Sequence, residues 1–139
     1  MRWRPVRDGW FVVLERGDDL HASLVQFATE AGVTSASFTG LGAADQLQLA
    51  FYDLARREYD RRDFDGDHEI GVLAGNLTRK DGVPFVHAHA VIGGRDFAAW
   101  AGHLMRARCG ATLEIAVHDF AAAVERAPAP AIGLALCRL

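Results

Sequence analysis

Lysine is almost absent from the 139-residue chain: Lys80 is the only one, and arginine carries the rest of the basic charge. An excess of basic charge is missing too, since 15 basic side chains face 18 acidic ones for a net charge of -3. Phosphate neutralisation normally appears as a basic surplus, so this balance argues against a free-standing nucleic-acid binder. Cysteine is scarce. Cys109 and Cys137 lie far apart and match no C-x-x-C or other ligand spacing, which argues against a cysteine metal site and a disulfide framework and predicts free thiols in a reducing cytoplasm. Long hydrophobic runs are lacking as well: "WFVVL" near the N-terminus is too short for a signal-peptide core, and charges or glycines interrupt every later apolar stretch. The expectation is a soluble, cytoplasmic protein with no membrane partner.

Familiar catalytic signatures are also missing. There is no P-loop, G-x-S-x-G, H-E-x-x-H or cysteine–histidine nucleophile pattern. Gly40 and Gly42 in "TGLGAADQL" lack the third glycine of a dinucleotide fingerprint and lead into a strand pattern, so close backbone approach explains them better than a phosphate.

What is present is enough apolar material, 50% of residues, for one core, and a length that suits a single domain over residues 1–139. Asp18 or Asp19 can cap a helix in which Leu20, Leu24, Phe27 and Ala31 recur at helical spacing, with Gly32 as its stop. Beyond it the patterns are mostly β: "VTSASFTG", "LQLAFYD", "REYDRRDF", "HEIGVLAGNLT", "VPFVHAHAVIG", "ATLEIAVHDF" and "IGLALCRL". "KDG" at 80–82 predicts a hairpin, and "APAPAIG" reads as a turn. The expected fold class is α+β, a mainly antiparallel sheet packed against one principal helix.

Within "VHAHAVIGG", strand alternation puts His87 and His89 on one face and Ala88, Ala90 and Ile92 on the other. Two imidazoles so placed can close around one ion, and His103 in "WAGHL", read as a loop of small residues, offers a third. Three imidazoles without a fourth protein ligand leave an open coordination position. The alternative is that the histidines are polar core residues, and both readings stand on spacing alone. His21 is expected to be exposed on the first helical turn, and His68 and His118 add little. Glu114, a carboxylate on an apolar strand, either orients a ligand imidazole or pairs with Arg106 or Arg108, the ion pair being the preferred reading; Glu69 and Glu114 are the candidate bases if the site does chemistry.

In order, "VLERGDDL", "FTGLGA", "HEIGVLAGNLTRKDGVPFVHAHAVI", "AGHL" and "ATLEIAV" are similar to the plants-and-prokaryotes-conserved (PPC) domain family over nearly the full length. The resemblance implies a PPC-like α+β domain that assembles as a homotrimer. It also implies a divalent transition metal held by the histidines that match the H-x-H and G-H-L motifs, here His87, His89 and His103. Zinc is the first expectation, with nickel or iron as alternatives. Plant members carry an AT-hook; the nearest approach here, "RWRPVR", has Trp3 where the hook has glycine, which obstructs entry into a narrow minor groove.

Two other function classes compete with metal binding. A DNA-associated regulator would present Arg56, Arg57, Arg61 and Arg62, although Glu58, Asp60, Asp63, Asp65 and Asp67 interleave with them. A protein-interaction module would display a patch marked by Trp3, Trp10 or Trp100. No catalytic residue is assigned.

Overall fold

The computed structural model describes residues 1–139. In chain order its elements are β1 (Arg2–Val6), β2 (Gly9–Glu15), α1 (Leu20–Glu30), β3 (Ala36–Asp53), β4 (Glu58–Lys80), β5 (Val83–Gly93), β6 (Ala99–Asp119), β7 (Glu125–Ala129) and β8 (Leu134–Arg138). The eight strands pair in one sheet of order β1-β2-β6-β3-β4-β7-β8, while β5 bonds to both β4 and β6. Strands β3, β4, β5 and β6 therefore close a hydrogen-bonded ring, which removes the free edges of those strands along their paired stretches. The expected α+β class, a largely antiparallel sheet with one helix, is what forms.

Helix α1 starts where Asp19 Oδ1 accepts the Ala22 N–H at 2.8 Å, and it ends before Gly32, whose φ of 69° is left-handed. Its apolar stripe of Leu20, Leu24, Phe27 and Ala28 is buried, and the helix packs against β5 and β6. Trp3 and Trp10 close over Phe27 edge-on, with ring centroids 5.5 and 5.9 Å away. Trp100 lies against Phe64 and His68. All three tryptophans are partly buried at the core margin.

The strands are longer than their sequence patterns suggest. "VTSASFTG" and "LQLAFYD" belong to the single strand β3, and "REYDRRDF" and "HEIGVLAGNLT" to β4. Register shifts at Gly40/Gly42 and Ala44/Gln46 bend β3 where the pattern suggested an end. Close approach is the reason for the two glycines: a Cβ on Gly40 would sit 2.7 Å from the Glu114 carbonyl oxygen, and one on Gly42 2.1 Å from that of Thr112. The predicted hairpin forms, with Asp81 (φ 52°) and Gly82 (φ 77°) both left-handed as a type I′ turn requires.

The C-terminal turn reading is corrected in part. Ala127, Pro128 and Ala129 belong to β7, which pairs with β8 and meets β4 in parallel at Arg79↔Glu125 and Lys80↔Arg126. Pro128 is tolerated because it lies beyond the residues paired with β4. Strand β1 carries no pattern of its own, and Pro5 suits its position at the sheet edge. Both cysteines are free, and no helix is long and apolar enough to cross a membrane.

Candidate metal centre

On β5 the inward set Ala88, Ala90 and Ile92 is buried in the core, which turns His87 and His89 to the opposite face. Across β4 these histidines stand opposite Asn76 and Ala74; across β6, His89 stands directly opposite His103. His103 is therefore a strand residue, which corrects the loop reading of "WAGHL". The small residues there serve strand packing: a Cβ on Gly102 would lie 2.9 Å from the Ala50 carbonyl oxygen on β3.

Ring closure brings the three imidazoles together. Their centroids are 5.3 Å apart for His87 and His89, 5.1 Å for His87 and His103, and 5.3 Å for His89 and His103. One nitrogen from each falls within 4.8 Å of the others. Nitrogen ligands around a tetrahedral ion are about 3.4 Å apart, so small side-chain rotations suffice and the cluster is capable of coordinating a metal ion.

Burial is the main influence that lowers the His103 pKa, to about 4, with His87, His89, His21 and Arg126 adding repulsion. His87 is lowered by burial, then by Arg126 and His89. Both shifts favour the neutral ring, the form that a metal needs. No carboxylate belongs to the cluster. The aromatic wall is Tyr59, 5.2 Å from His103 and 4.8 Å from Tyr52 between ring centroids.

The residue that sequence reasoning missed is Arg126. Strand β7 delivers it beside His87, where Nε donates to Thr78 Oγ1 at 2.8 Å, Nη1 to the Ala135 carbonyl at 3.0 Å and Nη2 to Asn76 Oδ1 at 2.9 Å. Nη2 also lies 3.3 Å from His87 Nδ1, and the guanidinium covers the Phe85 ring at 5.0 Å. The hairpin that carries it is tied down by Tyr52 Oη donating to the Ile132 carbonyl at 2.7 Å and by Arg57 reaching that of Pro130 at 3.2 Å. One signal was available: Asn76, the chain's only asparagine, holds Arg126 in place.

Other candidates lie apart. Glu114 is exposed on β6, roughly 35 Å along the strand from His103 at normal strand rise, and Glu69 is opposite Gly93. Neither reaches the histidines. The expected Glu114 ion pair is absent as well: Arg108 binds Asp45 at 2.7 Å and Arg106 binds Asp63 at 2.7 Å. His21 is not fully exposed; its Nδ1 is buried without a partner, and burial lowers its pKa. His68 Nδ1 meets the Gly66 carbonyl oxygen and His118 Nδ1 that of Asp8, both at 2.9 Å.

A family model described as the Plants and Prokaryotes Conserved (PCC) domain matches residues 5–121. The chain belongs to this family. Solved structures agree with the PCC assignment. A protein from Bacteroides thetaiotaomicron named as a candidate DNA binder is 28% identical at a TM-score of 0.94, covering 99% of this chain and 96% of its own. The plant- and prokaryote-conserved protein of Pyrococcus horikoshii is 25% identical at a TM-score of 0.85, covering 100% and 92%. A protein from Archaeoglobus fulgidus named as metal-containing is 30% identical at a TM-score of 0.85, covering 93% and 91%. No curated protein matches the PCC chain.

Proposed function

We propose that this PCC protein is a metal-binding domain, a single unit over residues 1–139, in which His87, His89 and His103 hold one divalent transition ion and leave a coordination position open. Zinc is the first candidate, with nickel and iron as the alternatives that imidazole also suits. The observation that carries the reading is the convergence of three ring nitrogens within 4.8 Å on strands that the closed ring holds in register. The lowering of the His87 and His103 pKa values, which favours the neutral ring, supports it, as does the metal-containing name of the Archaeoglobus relative. A bound ion would supply Lewis acidity at the open position. The reading assigns no catalytic residue.

The assembly we favour is a homotrimer in the cytoplasm. Phe51, Val72, Val91 and Phe97 are exposed apolar side chains that an assembly would cover, and the free thiols of Cys109 and Cys137 suit a reducing compartment. Calorimetric titration with zinc tests the metal reading: one ion per chain for the native protein and none for His103→Ala is the expected result. Unchanged zinc binding by that variant, or none by the native chain, would overturn it.

DNA association is the second reading, favoured by the name of the Bacteroides relative. Charge pairing works against it, because Arg56 is held by Asp53 at 2.9 Å and Asp60 at 2.5 Å, and Arg62 lies over Phe64 and Trp100. Duplex binding at low salt that falls steeply as salt rises would favour the DNA reading.

A further inference from the structure

We propose that Arg126 is the ligand-recognition residue of the histidine centre, where it binds a small carboxylate at the open position, and that metal loading makes its guanidinium available for this task. The proposal rests on the metal reading above and adds the class of ligand.

The first argument is proton accounting on His87. A neutral imidazole has one N–H and one lone pair. While Arg126 donates from Nη2 to His87 Nδ1, the ring proton sits on Nε2 and no lone pair is left for an ion. When His87 gives either nitrogen to an ion, it has nothing left with which to accept from Arg126. The two interactions exclude each other, so metal binding frees an Arg126 N–H at the edge of the centre. Four acceptors now surround the five N–H groups of Arg126, and Thr78, Asn76 and Ala135 keep the guanidinium in place after the fourth is lost. The freed donor is held beside the metal position and does not swing into solvent.

The second argument is charge. Three neutral imidazoles do not offset a dication, Arg126 adds a further positive charge, and no carboxylate belongs to the cluster. Excess positive charge of this kind, partly shielded from water at His87 and His103, favours a ligand that neutralises it. A carboxylate answers both needs, with one oxygen for the ion and the other for the guanidinium, whose planar fork matches it.

The test uses cobalt(II), whose visible spectrum reports coordination directly. The full chain is titrated with cobalt at constant ionic strength in sodium chloride or sodium acetate, alongside Arg126→Met and Arg126→Lys. We expect acetate to change the spectrum of the native complex saturably and to tighten cobalt binding by the reciprocal factor. In Arg126→Met, cobalt should still bind in chloride while acetate affinity falls roughly tenfold or more, the worth of one charge-assisted hydrogen bond. Arg126→Lys, which keeps the charge without the fork, should fall between them and shows whether the hairpin survives loss of the guanidinium. Equal acetate affinity in the native and Met proteins, or a native cobalt spectrum indifferent to acetate, would overturn the proposal and leave the metal reading intact. Failure of the native chain to bind cobalt at all would overturn the metal reading itself.

Discussion

Gly75 couples the fold to the histidine centre, and adding one methyl group there should damage both. It lies on β4 between Ala74 and Asn76, the residues opposite His89 and His87. A Cβ at Gly75 would stand 2.2 Å from the His87 carbonyl oxygen and 2.4 Å from Phe38 Cζ. Unstrained carbon contacts are about 3.5–4.0 Å, so each overlap exceeds roughly 1 Å, and one of them is with backbone that cannot rotate away. Overpacking a core typically costs about 1–3 kcal/mol, and two simultaneous clashes put Gly75→Ala near the top of that range. For a chain of this size that is roughly 10 °C in Tm. Because the displaced carbonyl belongs to His87, zinc affinity should weaken about tenfold as well, the usual toll of misplacing a ligand's support. Gly71→Ala is the matched control: it lies on the same strand, and its Cβ would meet nothing nearer than the Val91 carbonyl oxygen at 3.9 Å. Urea denaturation and zinc titration of both variants provide the assay. Gly75→Ala as stable as Gly71→Ala, with native zinc affinity, would mean that the Gly75 backbone is not packed against His87 and Phe38 as described.

Acid should weaken the metal-free protein. His21, His87 and His103 all have folded pKa values below the ordinary 6.5, so the unfolded chain binds more protons as pH falls below that value. Stability is therefore complete above about pH 6.5 and declines toward about pH 4, and a urea midpoint that did not drop between pH 7 and pH 5 would contradict these shifts. Removing the helix cap with Asp19→Ala should cost about 1 kcal/mol in equilibrium unfolding, because the Ala22 N–H loses its acceptor. Phe27→Ala should cost about 4 kcal/mol, since the ring is fully buried beneath Trp3 and Trp10; a loss under about 1 kcal/mol would mean the helix is not seated as described.

Local signals carried much of this molecule. The helix was legible because Asp19, the Leu20–Leu24–Phe27 spacing and Gly32 all act within a few residues, and the Asp81–Gly82 turn was legible for the same reason. The shared face of His87 and His89 followed from strand alternation alone. Strand lengths were not legible, because a glycine that ends one strand and a glycine that lets two strands touch look the same until the partner is known, as at Gly40, Gly42 and Gly102. Arg126 was hidden for a stronger reason: it reaches His87 only through a two-residue parallel pairing of β7 with β4, a long-range contact that leaves no periodic trace in the chain. Glu114 misled in the opposite way, since a carboxylate on an apolar strand suggested a partner where alternation simply turns it to solvent.

Three histidines on two adjacent strands are placed to hold one ion. Crystals of zinc-loaded protein measured at the zinc absorption edge test this placement most directly. One anomalous peak per chain enclosed by the rings of His87, His89 and His103 is expected, and no such peak in His87→Ala/His89→Ala treated identically. A peak elsewhere on the chain, or an empty histidine cluster in protein equilibrated with zinc at neutral pH, would contradict it.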